Sequence, residues 1–248
     1  LEWHVGELDV TIENLTEEWG GLLLTGPEAR NVLSQCTQED LSNNAFSWLS
    51  CKTIKIDSAD VFAMRVSYAG ELGWELHMPS WQVISIYESL FEMGSPLGLK
   101  DFGGQAFNSM RLEKMYRAYG AEFTEEISAL EAGMERFLDL NRDFIGADNI
   151  RERMSSGIKT KLAYLIFDDQ VPAECFGNEA VFSDGELTGI ITSGAYGHRV
   201  GHSIAFAYLK TEHCNDGASL TVETSLGSRS CHVSMNASYD QTNEKLCS

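Results

Sequence analysis

Apolar and polar positions alternate along this chain in two textures. In the first 156 residues, strand-like runs are interleaved with helical spacing. Gly20 to Gly26 reads as a short buried strand closed by glycine. Pro27 follows where a helix start tolerates proline, and Ala29, Val32 and Leu33 repeat at helical spacing. Lys52 to Ile56 alternates as a half-buried strand does. Val61 to Tyr68 and Trp74 to Met78 predict two more strands around a turn at residues 69–73. Ser80 is the candidate cap of a helix running to about Met93, where Gly94 ends it. Val83, Ile84, Tyr87, Leu90 and Phe91 are its predicted apolar face. Further helices are predicted from about Gly104 to Met115 and from Ala147 to Met154.

Near Gly157 the texture changes to short alternating runs separated by glycine turns. Leu162 to Phe167, Glu179 to Phe182, Leu187 to Thr192, Ser203 to Tyr208, Leu220 to Thr224 and Cys231 to Met235 are the predicted strands. Regular short strands of this kind suggest a small sandwich or barrel. The pattern therefore divides the chain into residues 1–156 and 157–248.

Composition narrows the function classes. The 248 residues are 43% hydrophobic and 22% charged, enough apolar material for one large core or two smaller ones. Eighteen basic against 37 acidic residues give a net charge of -19. Such a surface repels phosphate backbones and anionic lipid, so neither nucleic acid nor a membrane is an expected partner. No apolar run approaches the roughly 20 residues of a membrane helix. No signal-peptide pattern opens the sequence, which begins with Leu1 rather than methionine. The six cysteines contain no CxxC pair and are too few for a disulfide scaffold, so free thiols in a reducing compartment are expected.

The chemically informative stretch is Arg65 to Leu76, RVSYAGELGWEL. If its loop is Gly70 to Gly73, Tyr68 stands opposite Glu75 and Ala69 opposite Trp74 on a hairpin. A phenol beside a carboxylate suits a flat heterocycle with adjacent N–H donors, such as a pterin. The same pair also reads as an ordinary cross-strand contact, with Glu75 neutralised by an arginine and Tyr68 in the core. Arg111, in Met110 to Lys114, can hold a ligand carboxylate or form an ion pair between elements. His198 and His202 are four apart, but Gly197 and Gly201 interleave them in a strand-rich region, and no metal site is expected. GxSxG, HExxH, P-loop and GxGxxG patterns do not occur, so hydrolase, zinc-protease and nucleotide readings lack a signal.

The SYAGELGWEL core, with RLEK from Arg111, LEAGMERF from Leu130, LNRDFIG from Leu140, the TSG-containing run Gly189 to Tyr208, and WGGLLLTGPEAR from Trp19, resembles the glycine-cleavage T-protein (GcvT) superfamily. The ending Tyr239 to Glu244 is similar to the family's YDPxNE. RAYGAEFTEEI from Arg117 and GNEAVFSDG from Gly177 look like the dimethylglycine and sarcosine dehydrogenase branch. The resemblance implies an α+β fold: the later, partial portion of a folate-binding aminomethyltransferase domain over residues 1–156, then a C-terminal β-barrel over 157–248.

It also implies tetrahydrofolate as ligand, with Tyr68 and Glu75 at the pterin end and Gly70, Gly73 and Arg111 in support. T-protein carries an arginine where this chain has Phe107, which puts the folate-tail contact in doubt. The family's catalytic aspartate is expected upstream of this chain, and so is an FAD-binding domain or subunit. That leaves the catalytic residue unknown; Asp40, in QEDLS, falls in a later, structural segment, and Glu71 is the other carboxylate to weigh. Three functions are expected to compete. The first is the folate-binding part of a dimethylglycine or sarcosine dehydrogenase-like enzyme, inactive by itself. The second is a T-protein-like aminomethyltransferase. The third is a non-catalytic folate-binding or regulatory protein, which would be expected to carry a cysteine in the SYAGELGWE turn. The compartment is expected to be cytoplasmic, or the mitochondrial matrix in a eukaryote.

Overall fold

The computed structural model describes residues 2–172 and 175–248. Packing divides the chain into two units. One comprises Leu1–Ser67, Glu71–Asp101 and Asn243–Ser248; the other comprises Tyr68–Gly70 and Phe102–Thr242. Residues 102–156 thus pack with the barrel, so compactness and strand texture divide the chain at different places.

The first unit opens with α1 (Glu2–Val5), β1 (Trp19–Thr25) and α2 (Ala29–Cys36). Then come β2 (Cys51–Ile56), β3 (Ala59–Met64), β4 (Gly73–Pro79) and α3 (Val83–Gly94). The strands form one antiparallel sheet in the order β1-β4-β3-β2. Strand alternation sends Trp74, Leu76 and Met78 of β4 into a core with Ile54, Ile56, Val61, Ala63, Val32, Leu33, Ile86 and Leu90. Each Val, Leu, Ile or Met side chain of this set contributes about 1.5–3 kcal/mol by leaving water. Glu75 and His77 lie on the opposite face and stay half-buried.

Two expectations for α3 need correction. The buried residues are Ile86, Leu90 and Gly94, whereas Ile84 is 71% exposed. The stripe that meets the core is therefore Val83, Ile86, Leu90 and Met93. Aromatic content misled the reading, because Tyr87 and Phe91 pack on each other, with centroids 4.6 Å apart. Ser80 does not cap the helix. It starts a 3-10 turn, Ser80–Gln82, and its amide donates to Glu18 O at 2.7 Å.

The second unit holds α4 (Gly104–Glu113) and α5 (Ala147–Ser156). The barrel strands follow: β5 (Thr160–Phe167), β6 (Ala180–Ser183), β7 (Glu186–Gly197), β8 (His202–Lys210), β9 (Ser219–Thr224) and β10 (Gly227–Ser234). They close in the order β10-β5-β8-β7-β6-β9, as the expected fold class requires. Leu165, Phe167, Val181, Ile191, Ala205, Leu209, Val222, Val233 and the thiols of Cys175 and Cys231 belong to one core cluster. A second cluster, of Tyr164, Ala195, Ile204 and Phe206, takes Leu112 of α4 against it. A short α6 (Glu244–Cys247) packs with the first unit. No helix among the described residues is long and apolar enough to cross a membrane.

Candidate functional site

The connection between β3 and β4 carries the candidate residues, and its geometry differs from the simple hairpin. Met64 pairs with Glu75 and Phe62 with His77. Glu75 therefore stands between Met64 and, on β1, Leu23. Tyr68 is not its cross-strand partner, and Ala69 is not opposite Trp74. The cause is Arg65. Its amide donates to Ser50 O at 2.9 Å and its carbonyl accepts from Leu49 at 3.1 Å, which draws the chain off the ladder toward the segment before β2. Residues 65–72 become a connection rather than a strand end.

Within the first unit, Glu75 is a half-exposed carboxylate, its side chain 37% exposed. His77 Nε2 lies 3.4 Å from its Oε2, an electrostatic neighbour rather than a short hydrogen bond. Gly73 must be glycine for a packing reason. A Cβ there would lie 2.8 Å from Leu24 O, where β1 approaches. Asp40 sits in a turn with its carboxylate accepting the Ser42 amide at 2.8 Å, and these hydrogen bonds lower its pKa. Glu71 is buried.

Within the second unit, Tyr68 is stacked on Tyr116 at 5.3 Å and tilted against Phe107 at 5.8 Å. Phe102 extends the row from Phe107 at 6.4 Å. Burial raises the Tyr68 phenol pKa, opposed in part by the Arg111 charge. Gly70 has φ +74°, and a Cβ there would collide with Lys114 Cγ at 2.2 Å. Both facts demand glycine.

Arg111 is a scaffold group. Its donors reach Asn108 Oδ1 at 2.9 Å, Tyr116 O at 2.9 Å, Glu122 Oε2 at 2.7 Å and Ser193 Oγ at 2.8 Å. By holding the Tyr116 backbone it supports the ring on which Tyr68 stacks. Of the two sequence readings of Arg111, the geometry favours the ion pair between elements. Glu122, fully buried, also accepts from the Ala118 amide at 2.8 Å and Thr192 Oγ1 at 2.7 Å, and from Ser193 Oγ. A β-bulge between Ile191 and Ser193 lets consecutive hydroxyls point at one carboxylate.

The rest of RLEK behaves likewise. Glu113 accepts from the Arg199 amide at 2.8 Å and from its guanidinium, and Lys114 Nζ donates to Asp240. Arg199 reaches Ala69 O at 3.1 Å and covers the Tyr239 ring at 3.8 Å. The sequence reading did not connect Glu122, Ser193, Arg199 or Asp240. The available signal was three charged residues at 111, 113 and 114 flanking Leu112, itself fully buried. His198 lies in the β7–β8 turn with its ring edge-on to Tyr196, and His202 Nδ1 meets Phe167 O at 3.3 Å. No group of three or more His, Cys, Asp or Glu residues able to hold a metal occurs among the described residues.

Comparison with known proteins settles the family. The profile described as GCVT N-terminal domain matches residues 1–142, and the glycine cleavage T-protein C-terminal barrel domain matches residues 161–240. This chain belongs to the GCVT family. The GCVT relative dimethylglycine dehydrogenase, mitochondrial, of Homo sapiens is 39% identical over 221 residues, covering 88% of this chain and 25% of the relative. Sarcosine dehydrogenase, mitochondrial, of Homo sapiens is 32% identical over 196 residues, 78% of this chain and 21% of the relative. An aminomethyltransferase of Thermoanaerobacter pseudethanolicus is 29% identical, covering 88% of this chain and 58% of the relative. The crystal structure of glycine cleavage system aminomethyltransferase T from Bartonella henselae shares the GCVT fold. Its TM-score is 0.78 at 21% identity, over 90% of this chain and 60% of that one. The chain thus spans about a quarter of the length of the dehydrogenases it matches.

Proposed function

We propose that this chain is the tetrahydrofolate-binding part of a dimethylglycine or sarcosine dehydrogenase-like enzyme, positioning folate so that a one-carbon unit is captured as methylene-tetrahydrofolate. The observation that carries this reading is Glu75. Glu113 and Glu122 are buried in ion pairs, whereas Glu75 keeps a half-exposed carboxylate on the strand of the SYAGELGWEL motif. A carboxylate in that state fits the paired N–H donors of a pterin. Tyr68, held by Tyr116 and Phe107, offers a half-buried aromatic face and a phenol kept protonated at neutral pH. Tetrahydrofolate supplies the N5 and N10 nucleophiles when bound. The chain's residues orient it, an effect worth as much as several kcal/mol when reacting atoms are held close.

The chain carries no glycine-rich dinucleotide fingerprint, so FAD is assigned to another domain or subunit of the proposed enzyme. No carboxylate of this chain is assigned to proton transfer, and the chain alone is proposed to be inactive. The mammalian relatives are named as mitochondrial, and the matrix is the compartment proposed for a eukaryotic source. A T-protein-like aminomethyltransferase is the second reading, favoured by the larger share of such relatives that the chain spans. Phe107 weighs against it, since the position where T-protein has an arginine here belongs to the Tyr68 ring stack.

Calorimetric titration with tetrahydrofolate tests the assignment. Saturable binding that weakens in Glu75→Ala and Tyr68→Ala is the expected result. A wild type that binds and a Glu75→Ala variant with the same Kd would reject it.

A further inference from the structure

Three strands of the barrel unit bring a set of hydrogen-bond acceptors to one face. Ile166 of β5 pairs with His232 of β10 on one side and with Ile204 of β8 on the other. Further along the same β5–β8 ladder, Asp168 comes level with His202. By strand alternation His232, Ile166, Asp168 and His202 share a face, opposite the one that sends Leu165, Phe167 and Cys231 into the core. Val200, from the β7–β8 turn, and Ser238 join them around a cleft of about 440 Å³. Neither the folate reading nor the ion pairs of RLEK use any of the polar groups on this face.

The partners fix the tautomers of both rings. Asp168 Oδ1 lies 2.7 Å from His232 Nδ1 and accepts its proton. The Phe167 carbonyl, 3.3 Å from His202 Nδ1, can likewise only accept. Each ring, when neutral, therefore keeps Nε2 as a lone pair, and neither Nε2 has a hydrogen-bond partner among the described residues. The Asp168 side chain is 52% exposed, which leaves its second oxygen open to a ligand. Ser238 Oγ is tied to the Tyr164 hydroxyl at 2.9 Å. The neighbouring cations are engaged: Arg229 by Asp169, Arg199 by Glu113 and Lys114 by Asp240. His202 lies within electrostatic reach of Asp169, and His198, in the β7–β8 turn, stands edge-on to Tyr196. The cleft thus combines acceptors and negative charge with the aliphatic side chains of Ile166 and Val200, on a chain of net charge -19. Such a surface repels an anion and suits a cation that brings its own N–H donors. A metal ion would need a group of three or more ligands, and no such group occurs among the described residues.

We propose that this face is a binding site for a short-chain alkylammonium ion, its N–H donors taken by Asp168 and by the Nε2 atoms of His202 and His232, and its alkyl part by Ile166 and Val200. The carboxylate supplies the opposite charge. The imidazoles supply direction, because each accepts along the line of a single nitrogen. Acid removes the site, since a protonated imidazole turns Nε2 from an acceptor into a donor. The inference does not rest on folate being a ligand.

The test uses the full chain and the ring-proton NMR signals of its six histidines, with those of His202 and His232 assigned from His202→Gln and His232→Gln. Propylammonium chloride is the probe, against potassium chloride at equal ionic strength. Saturable shifts at His202 and His232 are expected at about pH 8, fading toward about pH 5 as the imidazoles take up protons. His4, His77 and His213 should not move. Asp168→Asn, at an exposed position, should weaken binding by roughly tenfold, the effect of one charge-assisted hydrogen bond. Tetramethylammonium carries the same charge and no N–H donor, so it should not compete. Absence of saturable shifts with propylammonium overturns the site. Equal shifts with tetramethylammonium, or full affinity in both Asp168→Asn and His232→Gln, would reduce it to diffuse attraction of cations and overturn the assignment to these residues.

Discussion

The two units handle charge in opposite ways. In the barrel unit, Arg111, Glu113, Lys114 and Glu122 are all nearly or wholly buried, and each ends on a partner inside the same unit. In the sheet unit, the carboxylate on the candidate strand is left half-exposed with His77 Nε2 at 3.4 Å. A buried ion pair holds a scaffold together because breaking it strands a charge away from water. A half-exposed, weakly partnered carboxylate holds little together and is available to a ligand. Conspicuous charged motifs can therefore be architecture, and the quieter residue can be the recognition group.

The largest expected effect comes from the buried side of this contrast. Glu122→Ala strands Arg111 and should cost roughly 3–5 kcal/mol in chemical denaturation, with the barrel unit losing its exchange protection. A loss below about 1 kcal/mol would erase the distinction between the units. Glu75→Ala should behave oppositely, changing stability by no more than about 0.5 kcal/mol and weakening tetrahydrofolate binding by about 1.5–3 kcal/mol. Destabilisation without loss of binding would make Glu75 another scaffold carboxylate. Gly70→Ala should cost about 1–3 kcal/mol, since the left-handed φ is strained for alanine and Lys114 occupies the space of the added carbon. Thermal unfolding measures it.

The smallest effect is a pH dependence at the barrel surface. Asp169 pairs with Arg229 at 2.6 Å, and the hydrogen bond from that guanidinium lowers the carboxyl pKa below its ordinary 3.8. A depressed pKa means that the folded state favours the carboxylate. The pair's contribution should be complete above pH 3.8 and lost as pH falls through the lowered value. With Asp169 only partly buried it is worth at most about 1 kcal/mol. Unfolding of Asp169→Asn followed from pH 6 to pH 2 should show the difference from wild type shrinking in acid.

The barrel was legible because alternation and glycine turns repeat with each strand. Leu162 to Phe167 and Ser203 to Tyr208 fall within β5 and β8, which lengthen by one to two residues at either end where needed. The hairpin register was not legible. It depends on Arg65 pairing with residues 49 and 50, a long-range choice that local alternation does not encode. The apolar face of α3 was shifted for a similar reason, since exposed Ile84 and the Tyr87–Phe91 pair mimic a core stripe. Tyr68 and Glu75 are candidates by residue type and motif, and their role in ligand binding is the proposal above. The partners of Arg111 could not be read in this way, because Glu122 and Ser193 lie eleven and 82 positions away.

The thiols inside the barrel give the molecule its own stopwatch. Burial pushes Cys175 and Cys231 up to about 12, with Glu179 and Asp168 adding to the shift. At neutral pH neither is the thiolate that alkylating reagents need, and neither is reachable while the strands remain closed. Exposed Cys51, on an edge strand of the sheet, meets reagent directly. In one native sample with reagent concentrated enough that labelling outpaces reclosing, the labelling of Cys231 would then run at the rate at which the cylinder opens, while Cys51 reads the chemistry of the reagent itself. The ratio of the two traces would give the lifetime of the closed barrel without a dye, a tag or a denaturant.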